Sequence, residues 1–374
     1  MNSKNKKLRV CLIAPSPPPN GGIATWTSMI LRYISAQETN VEISRVNTAL
    51  RWRAIHQQGI LRRLVGGTLQ FFCDYFTLLV VLFRHRPDVI HLTTVVKMGV
   101  IKDIIFILTG RIFRRKTVYH IRNSRILHMS EKKTISWRLF CVAAYFAASV
   151  VILNDQTFHV MKKHFPDKDI RKIPNCINTD ELECCRQPKS DHDNLIFIFI
   201  GLVIPAKGIE ELLDAWCQIN PSGAELKIYG DFGEEYQRQL RDKYPIQLQH
   251  IEFYGETEHS QAMSALRNAD VLVLPSYLEG FPNVVLEAMV LETPVIATEV
   301  GAIPEMLADE RGLLIPPQNV PSLANAMSNF MENAELRKRC AANAKAYAME
   351  HYTIEVVFQQ LYQLWASVSH KSCS

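Results

Sequence analysis

LPSYLEGFPNVVLEAMVLETPVIATEVGAIPE, residues Leu274 to Glu305, decides the reading of this chain. An apolar strand, Val271 to Leu274, runs into it, and a second, Pro294 to Thr298, follows inside it. Between them the spacing predicts a helix from Asn283 to Leu291. Glu279 and Glu287 lie eight residues apart around a Gly-Phe-Pro turn. A loop that leads from the carboxyl end of a parallel strand into a helix N-terminus is where open α/β sheets bind nucleotides and phosphates. Glu279 falls in that loop and Glu287 about one turn inside the helix, so the two carboxylates address different parts of one extended ligand.

Apolar runs alternate with helix-period segments along the rest of the chain, the pattern of parallel βα units. In the first half, strands are expected at Arg9 to Ala14, Val41 to Val46, Val89 to Leu92, Thr117 to Ile121 and Val150 to Leu153, with a short one in Ile170 to Ile177. The second half restarts at Leu195 to Ile200 and continues through Leu226 to Tyr229, Ile251 to Tyr254, Val271 to Leu274, Val295 to Ala297 and Gly312 to Ile315. Two α/β domains in tandem follow, a length of 374 residues being ample for both. Thr179 to Asn194 is polar and lacks period, which makes it the linker.

The net charge of +5 conceals an asymmetry. Residues 1–190 carry 30 Lys+Arg against 12 Asp+Glu, net +18, and residues 191–374 carry 12 against 25, net −13. The basic half attracts anions, and its aromatic content favours an anionic membrane surface over nucleic acid, for which it lacks an aromatic and basic ladder. Leu64 to Phe83 is largely apolar between arginines. Asp74, Gln70 and Gly66-Gly67 argue against a membrane span there, and the favoured reading is a buried helix, with a helix dipping into a bilayer interface as the alternative. Val10 to Ala14 is too short for a signal core and reads as a first strand. Nine scattered cysteines are the usage of a reducing cytoplasm, and Cys184-Cys185 has no partners at zinc spacing, so no metal is expected.

Two further turns carry chemistry. In APSPPPNGGIAT, Ala14 to Thr25, Gly21 and Gly22 open a helix, where backbone approaches a ligand closely and free N–H groups add partial positive charge. In FIGLVIPAKGI, Phe199 to Ile209, the strand ends at Gly201 and Lys207 precedes a helix, the placement of a diphosphate clamp. His120 and His91 stand at strand ends, where a histidine serves either a sugar hydroxyl or the core.

The E-x7-E pattern, with PS before it and PVIAT-x-VGAIPE after it, resembles the retaining GT-B glycosyltransferases of family four, and the resemblance extends over nearly the whole chain. It implies two Rossmann-like, doubly wound parallel-sheet domains facing a cleft. Residues 1–178 would bind acceptor, 179–194 link, 195–352 bind a nucleotide-sugar, and 353–374 form a helix crossing back to the first domain. It implies that Glu287 holds the donor ribose, and that Glu279 with Gly280, Phe281, Pro282, Asn283 and Val284 holds the transferred sugar. Lys207 and Gly201 would meet the diphosphate, Gly21 and Gly22 the donor phosphate and acceptor, and His120 the donor sugar, with no metal cofactor. The family arginine after the glycine is Leu202 here, which removes one phosphate-binding cation; Arg122 is the substitute considered. Asn175 matches a family segment in which Cys176 replaces glycine. The implied reaction moves a sugar from a nucleotide-sugar to a lipid-diphosphate-linked glycan acceptor in bacterial surface polysaccharide assembly. The implied location is cytoplasmic, peripheral on the inner face of the membrane. The alternatives are an epimerase or phosphorylase on the same fold, favoured by Leu202, and a non-enzymatic anion- or membrane-binding module, favoured by the basic half.

Overall fold

The structure, a computed structural model, describes residues 7–370 except 19, 20, 38, 50–59, 96–98, 123, 124, 186–193, 220 and 245–250. The chain divides into two compact units, residues 1–175 with 354–374 and residues 176–353.

In the first unit strands β1 (Leu8–Ala14), β2 (Val41–Asn47), β3 (Val89–Thr94), β4 (Lys116–Ile121), β5 (Ser149–Ile152) and β6 (Ile170–Lys172) form one sheet in the order β2-β1-β3-β4-β5-β6. Every pairing is parallel. Helices α1 (Gly22–Ala36), α2 (Ile60–Arg84), α3 (Val100–Ile112), α4 (Ile126–Glu131), α5 (Ile135–Phe146) and α6 (Asp155–His164) connect them. Strands β3 and β5 are buried at every position, which explains why they read as continuous apolar runs rather than alternating ones. Helices α5 and α6 start where Thr134 and Asn154 accept from the N–H groups of Trp137 and Thr157, relieving donors that the first turn leaves unpaired. Leu78, Phe106, Tyr119 and Phe140 are fully buried in the core, each side chain contributing roughly 2–3 kcal/mol of apolar burial.

Helix α2 corrects the expectation of a buried helix. Leu78, Val81 and Leu82 face the core, and Gln70 donates to buried Asp74 at 2.8 Å. The opposite stripe, Leu69, Phe72, Phe76 and Phe83, is exposed. Among the described residues α2 is the one helix long and apolar enough, by length and composition, to cross a membrane.

In the second unit β7 (Leu195–Ile200), β8 (Ala224–Tyr229), β9 (Ile251–Gly255), β10 (Val271–Leu274), β11 (Val295–Thr298) and β12 (Leu313–Ile315) pair in parallel in the order β12-β11-β10-β7-β8-β9. They alternate with α7 (Ile209–Ile219), α8 (Glu234–Lys243), α9 (His259–Asn268), α10 (Asn283–Val290) and α11 (Ile303–Leu307); α12 (Val320–Glu332) and α13 (Ala334–His351) follow β12. This unit begins at Cys176, and Thr179–Cys185, expected in the linker, forms a 3-10 turn that packs on α9. The rest of that expected linker, 186–193, lies outside the described residues. The last helix, α14 (Ile354–His370), belongs to the first unit, where it packs on α1, β1, β3 and β4 and buries Leu361, Leu364 and Trp365.

Candidate functional site

The order of the second sheet reverses at β7 and β10, which are neighbours although far apart in sequence. Loops leaving their carboxyl ends must diverge, and the crevice so formed is where open sheets take ligands. The loop after β7 carries Lys207, and the loop after β10 carries Glu279. They meet directly: Lys207 Nζ donates to Glu279 Oε1 at 2.5 Å, with side chains 24% and 11% exposed. The ammonium is therefore partly screened, and any phosphate it binds must share it with the Glu279 carboxylate.

Two glycines enforce this meeting. Gly208 has φ +70°, and a Cβ there would lie 2.1 Å from the Pro275 carbonyl oxygen. Gly301 has φ +61°, and its Cβ would lie 2.2 Å from the Glu279 carbonyl oxygen. The Ala302 N–H donates to the Gly280 carbonyl at 3.0 Å, so the chain after β11 braces the Glu279 loop. The Tyr277 N–H donates to the Ala206 carbonyl at 3.0 Å, tying the two loops together. Sequence reasoning gave Gly301 no role; the VGA triplet after a strand is the signal that was there to use.

Helix α10 starts at Asn283, its N-cap Pro282 making no side-chain cap, so the positive end of the helix follows directly on the Glu279 loop. Of the stretch expected to hold a sugar, Phe281 is buried edge-on against Tyr352 at 5.2 Å and Pro282 is buried and has no N–H. Those two shape the loop, and polar contact falls to Gly280, Asn283 and Val284. Glu287 follows in the next turn, its side chain 15% exposed and its carboxyl pushed up to about 7 by burial. His259 Nε2 stands 3.7 Å from it. Gly201 lies at the end of β7, its N–H donating to the Tyr229 carbonyl at 3.0 Å, and Leu202 beside it is exposed. Glu305 sits in α11 and is half-buried.

The first sheet has its own reversal, at β1 between β2 and β3. Gly21 and Gly22 after β1 are exposed and line a depression of about 460 Å3 together with Thr93, Thr94, Lys102 and Asp103. Nothing in the sequence reading singled out these last four. Asp103 is buried and accepts from the Thr94 hydroxyl at 2.6 Å and the Tyr119 hydroxyl at 2.9 Å; burial raises its carboxyl above the usual range.

His120 is placed differently from the expectation of direct contact with a sugar. It has no exposed surface and belongs to a buried polar chain. Trp365 Nε1 donates to His91 Nδ1 at 2.8 Å, and His91 Nε2 lies 3.0 Å from His120 Nδ1. The indole N–H only donates, so His91 holds its proton on Nε2 and gives it to His120 Nδ1; the proton of His120 is then on Nε2, 3.5 Å from an Arg122 nitrogen. Burial, with Arg122 nearby, lowers His91 to about 3 and His120 well below the usual range, so both rings are neutral. Arg122, the considered substitute cation, is buried in the first unit over the Trp26 ring at 4.3 Å. Trp365→Phe should lower unfolding free energy by about 2 kcal/mol, because it leaves His91 Nδ1 a buried acceptor without a donor. Equilibrium denaturation measures this, and unchanged stability would show that the indole N–H does not hold the pair.

Two parallel six-stranded sheets with reversals at β1 and β7 define a GT-B fold. Residues 183–347 match the family Glycosyl transferases group 1. It is 33% identical over 208 residues to a phosphatidyl-myo-inositol mannosyltransferase of Mycobacterium leprae, covering 54% of each chain. It is 25% identical over 176 residues to a capsular polysaccharide biosynthesis glycosyltransferase, CapM, of Staphylococcus aureus, covering 46% of each. The chain thus spans about half the length of the curated relatives it matches. Among solved structures, Anabaena HepE in complex with UDP superposes with a TM-score of 0.69 at 19% identity, covering 96% of this chain and 100% of that one.

Proposed function

We propose that this protein is a retaining glycosyltransferase that moves a sugar from a nucleotide-sugar donor to a lipid-diphosphate-linked glycan in surface polysaccharide assembly. Its working place in this reading is the inner face of a bacterial membrane. The observation that carries the proposal is the convergence of Lys207 and Glu279 at the sheet reversal, immediately before the α10 N-terminus that leads to Glu287. The match to group 1 glycosyl transferases and the UDP bound by HepE support a nucleotide-sugar donor. The capsular and glycolipid relatives support a glycan or lipid acceptor.

In this reading the bond from sugar to diphosphate breaks as negative charge grows on the leaving oxygen. The Lys207 ammonium and the N–H groups of the α10 first turn are fixed where that charge develops and need no reorganisation. Glu279 orients the lysine and the sugar. Glu287 accepts from the two ribose hydroxyls, which replace the water that its burial has removed. The acceptor oxygen attacks on the face that the diphosphate leaves, and the departing phosphate takes its proton, so no metal is required.

A carboxyl whose folded pKa of about 7 lies above its unfolded value contributes stability below the unfolded value, and loses it as pH rises to about 7. Glu287→Gln should therefore stabilise the nucleotide-free protein at pH 8 by on the order of 2–3 kcal/mol while weakening nucleotide binding. For the parent protein, nucleoside diphosphate affinity should fall up to tenfold per pH unit below about 7, as the acceptor form is lost. Calorimetric titration from pH 5.5 to 8.5 checks both; a pH-independent affinity would remove Glu287 from the ribose.

A further inference from the structure

The amino ends of β4, β5 and β6 lie opposite the end of the sheet that carries Gly21 and Gly22, and the proposed chemistry uses nothing there. The chain leaving α3 brings Arg111, Arg114, Arg115 and Lys116 to the lining of a depression of about 780 Å3. Arg114, at φ +56°, turns the chain, and the Arg115 N–H closes the turn on the Gly110 carbonyl at 2.7 Å. Asp169, which also lines the depression, is engaged by Arg171 at 3.2 Å, so one paired carboxylate stands against four cations. Lys168 donates to the carbonyls of Tyr145 and of Ala147, the latter a lining residue. Burial and then the charge of Arg111 depress its proton affinity, a mark of crowded cations.

Two polar atoms make this more than a basic surface. Thr117 lines the depression, is 3% exposed, and its hydroxyl has no hydrogen-bond partner. Arg115 Nε is likewise buried without one. Buried donors of this kind are characteristically answered by an oxygen acceptor. A phosphate presents several, and it matches guanidinium forks in charge and geometry.

The surroundings say what carries that phosphate. The carboxyl-terminal ends of α2, α3 and α5 turn Phe83, Ile112 and Tyr145 outward, 67%, 78% and 69% exposed. Phe83 packs edge-on against Phe113 at 4.9 Å, so the apolar end of α2 is fixed beside the Arg114 turn. The exposed stripe of α2, Leu69, Phe72 and Phe76, continues from it. Cations flanked by outward apolar and aromatic side chains suit an interface in which charge meets headgroups and rings meet acyl chains.

We propose that this depression binds the phosphate of an anionic lipid headgroup, with Arg111, Arg114, Arg115 and Thr117 as its contacts and Phe83, Ile112 and Tyr145 seated in the adjoining lipid. The inference rests on the membrane location proposed above but not on the transfer reaction, and its test reads binding alone. The full chain is sedimented with vesicles of phosphatidylcholine, with or without phosphatidylglycerol, and binding of glycerol 3-phosphate is measured by calorimetry. The triple variant Arg111→Gln, Arg114→Gln, Arg115→Gln should bind phosphatidylglycerol vesicles about a hundredfold more weakly. The same charge removed at the other end of α5, by Lys132→Gln, Lys133→Gln and Arg138→Gln, should cost clearly less. Thr117→Val, which alters no charge, should weaken vesicle binding about fivefold, and an unchanged melting temperature shows that the fold persists. Equal losses in the two triple variants, with none in Thr117→Val, would reduce the site to diffuse attraction and overturn the proposal while sparing the membrane location. Tight binding of glycerol 3-phosphate without vesicle binding would replace the lipid with a soluble phosphate. Binding to no vesicle overturns both the site and the membrane location, and leaves the transfer reaction standing.

Discussion

Lys207→Ala should lower sugar transfer about 10²- to 10³-fold while leaving the fold intact, because in the proposed reaction it removes a full positive charge aimed at the leaving diphosphate. The magnitude follows from geometry. Lys207 is held at 2.5 Å by Glu279 and is only 24% exposed, so its ammonium is placed before a ligand arrives. Removing it also leaves the Glu279 carboxylate, 11% exposed, to face a diphosphate without an intervening cation. Repulsion then adds to the lost attraction, and nucleoside diphosphate affinity should fall alongside the rate. Glu279→Gln separates the two roles. It frees the lysine, so diphosphate binding should hold or improve, but it removes a sugar contact, so transfer should still fall. Transfer measured with a panel of nucleotide-sugars, beside calorimetry with the matching diphosphates, reads both quantities. If Lys207→Ala and Glu287→Ala leave transfer from every donor unchanged, the site assignment fails. Release of free nucleoside diphosphate only when acceptor is present would separate a transferase from an epimerase, and stabilisation by none of the diphosphates would favour a non-enzymatic scaffold.

Gly301→Ala should disrupt the second unit's site, because the added methyl group meets backbone on two sides. At φ +61° a side chain is strained by about 1 kcal/mol. The new Cβ would also sit 2.2 Å from the Glu279 carbonyl oxygen and 2.8 Å from the Gly280 carbonyl oxygen. Both neighbours are backbone, which has no rotamer to yield. Either the loop after β11 or the loop after β10 must move, and the Ala302 to Gly280 hydrogen bond breaks with it. A loss of roughly 3 kcal/mol in unfolding free energy is expected, together with loss of nucleotide binding. Thermal denaturation with and without nucleoside diphosphate checks this. A variant of parental stability that binds normally would mean that the two loops are not braced against each other.

The alternation of strand and helix was legible from sequence because each strand is a buried apolar run bounded by turn residues. Strands β7 and β10 fall on the residues expected, Leu195 to Ile200 and Val271 to Leu274. Helices α12 and α13, which follow the last strand, carry no such signal in the apolar alternation, and α13 is dominated by charged and small residues. The carboxylate pair and the lysine were legible as turn chemistry. Their ion pair was not, because 72 residues separate Lys207 from Glu279 and only the order β10-β7 brings the two loops together.

By itself the sequence determined the local chemistry: which segments form strands, which turns carry glycine, and which of those turns hold a charged side chain. Local pattern suffices there, because backbone sterics and apolar period act over a few residues. Only the tertiary structure decided that Lys207 is bound to Glu279, that burial lifts Glu287 to about 7, and that His120 lies in a sealed chain ending at Trp365, 274 residues after its His91 partner. Each of those is an effect of distance or of removed water. Sequence carries no direct record of either, because which groups meet and which lose solvent is set by packing between elements far apart in the chain.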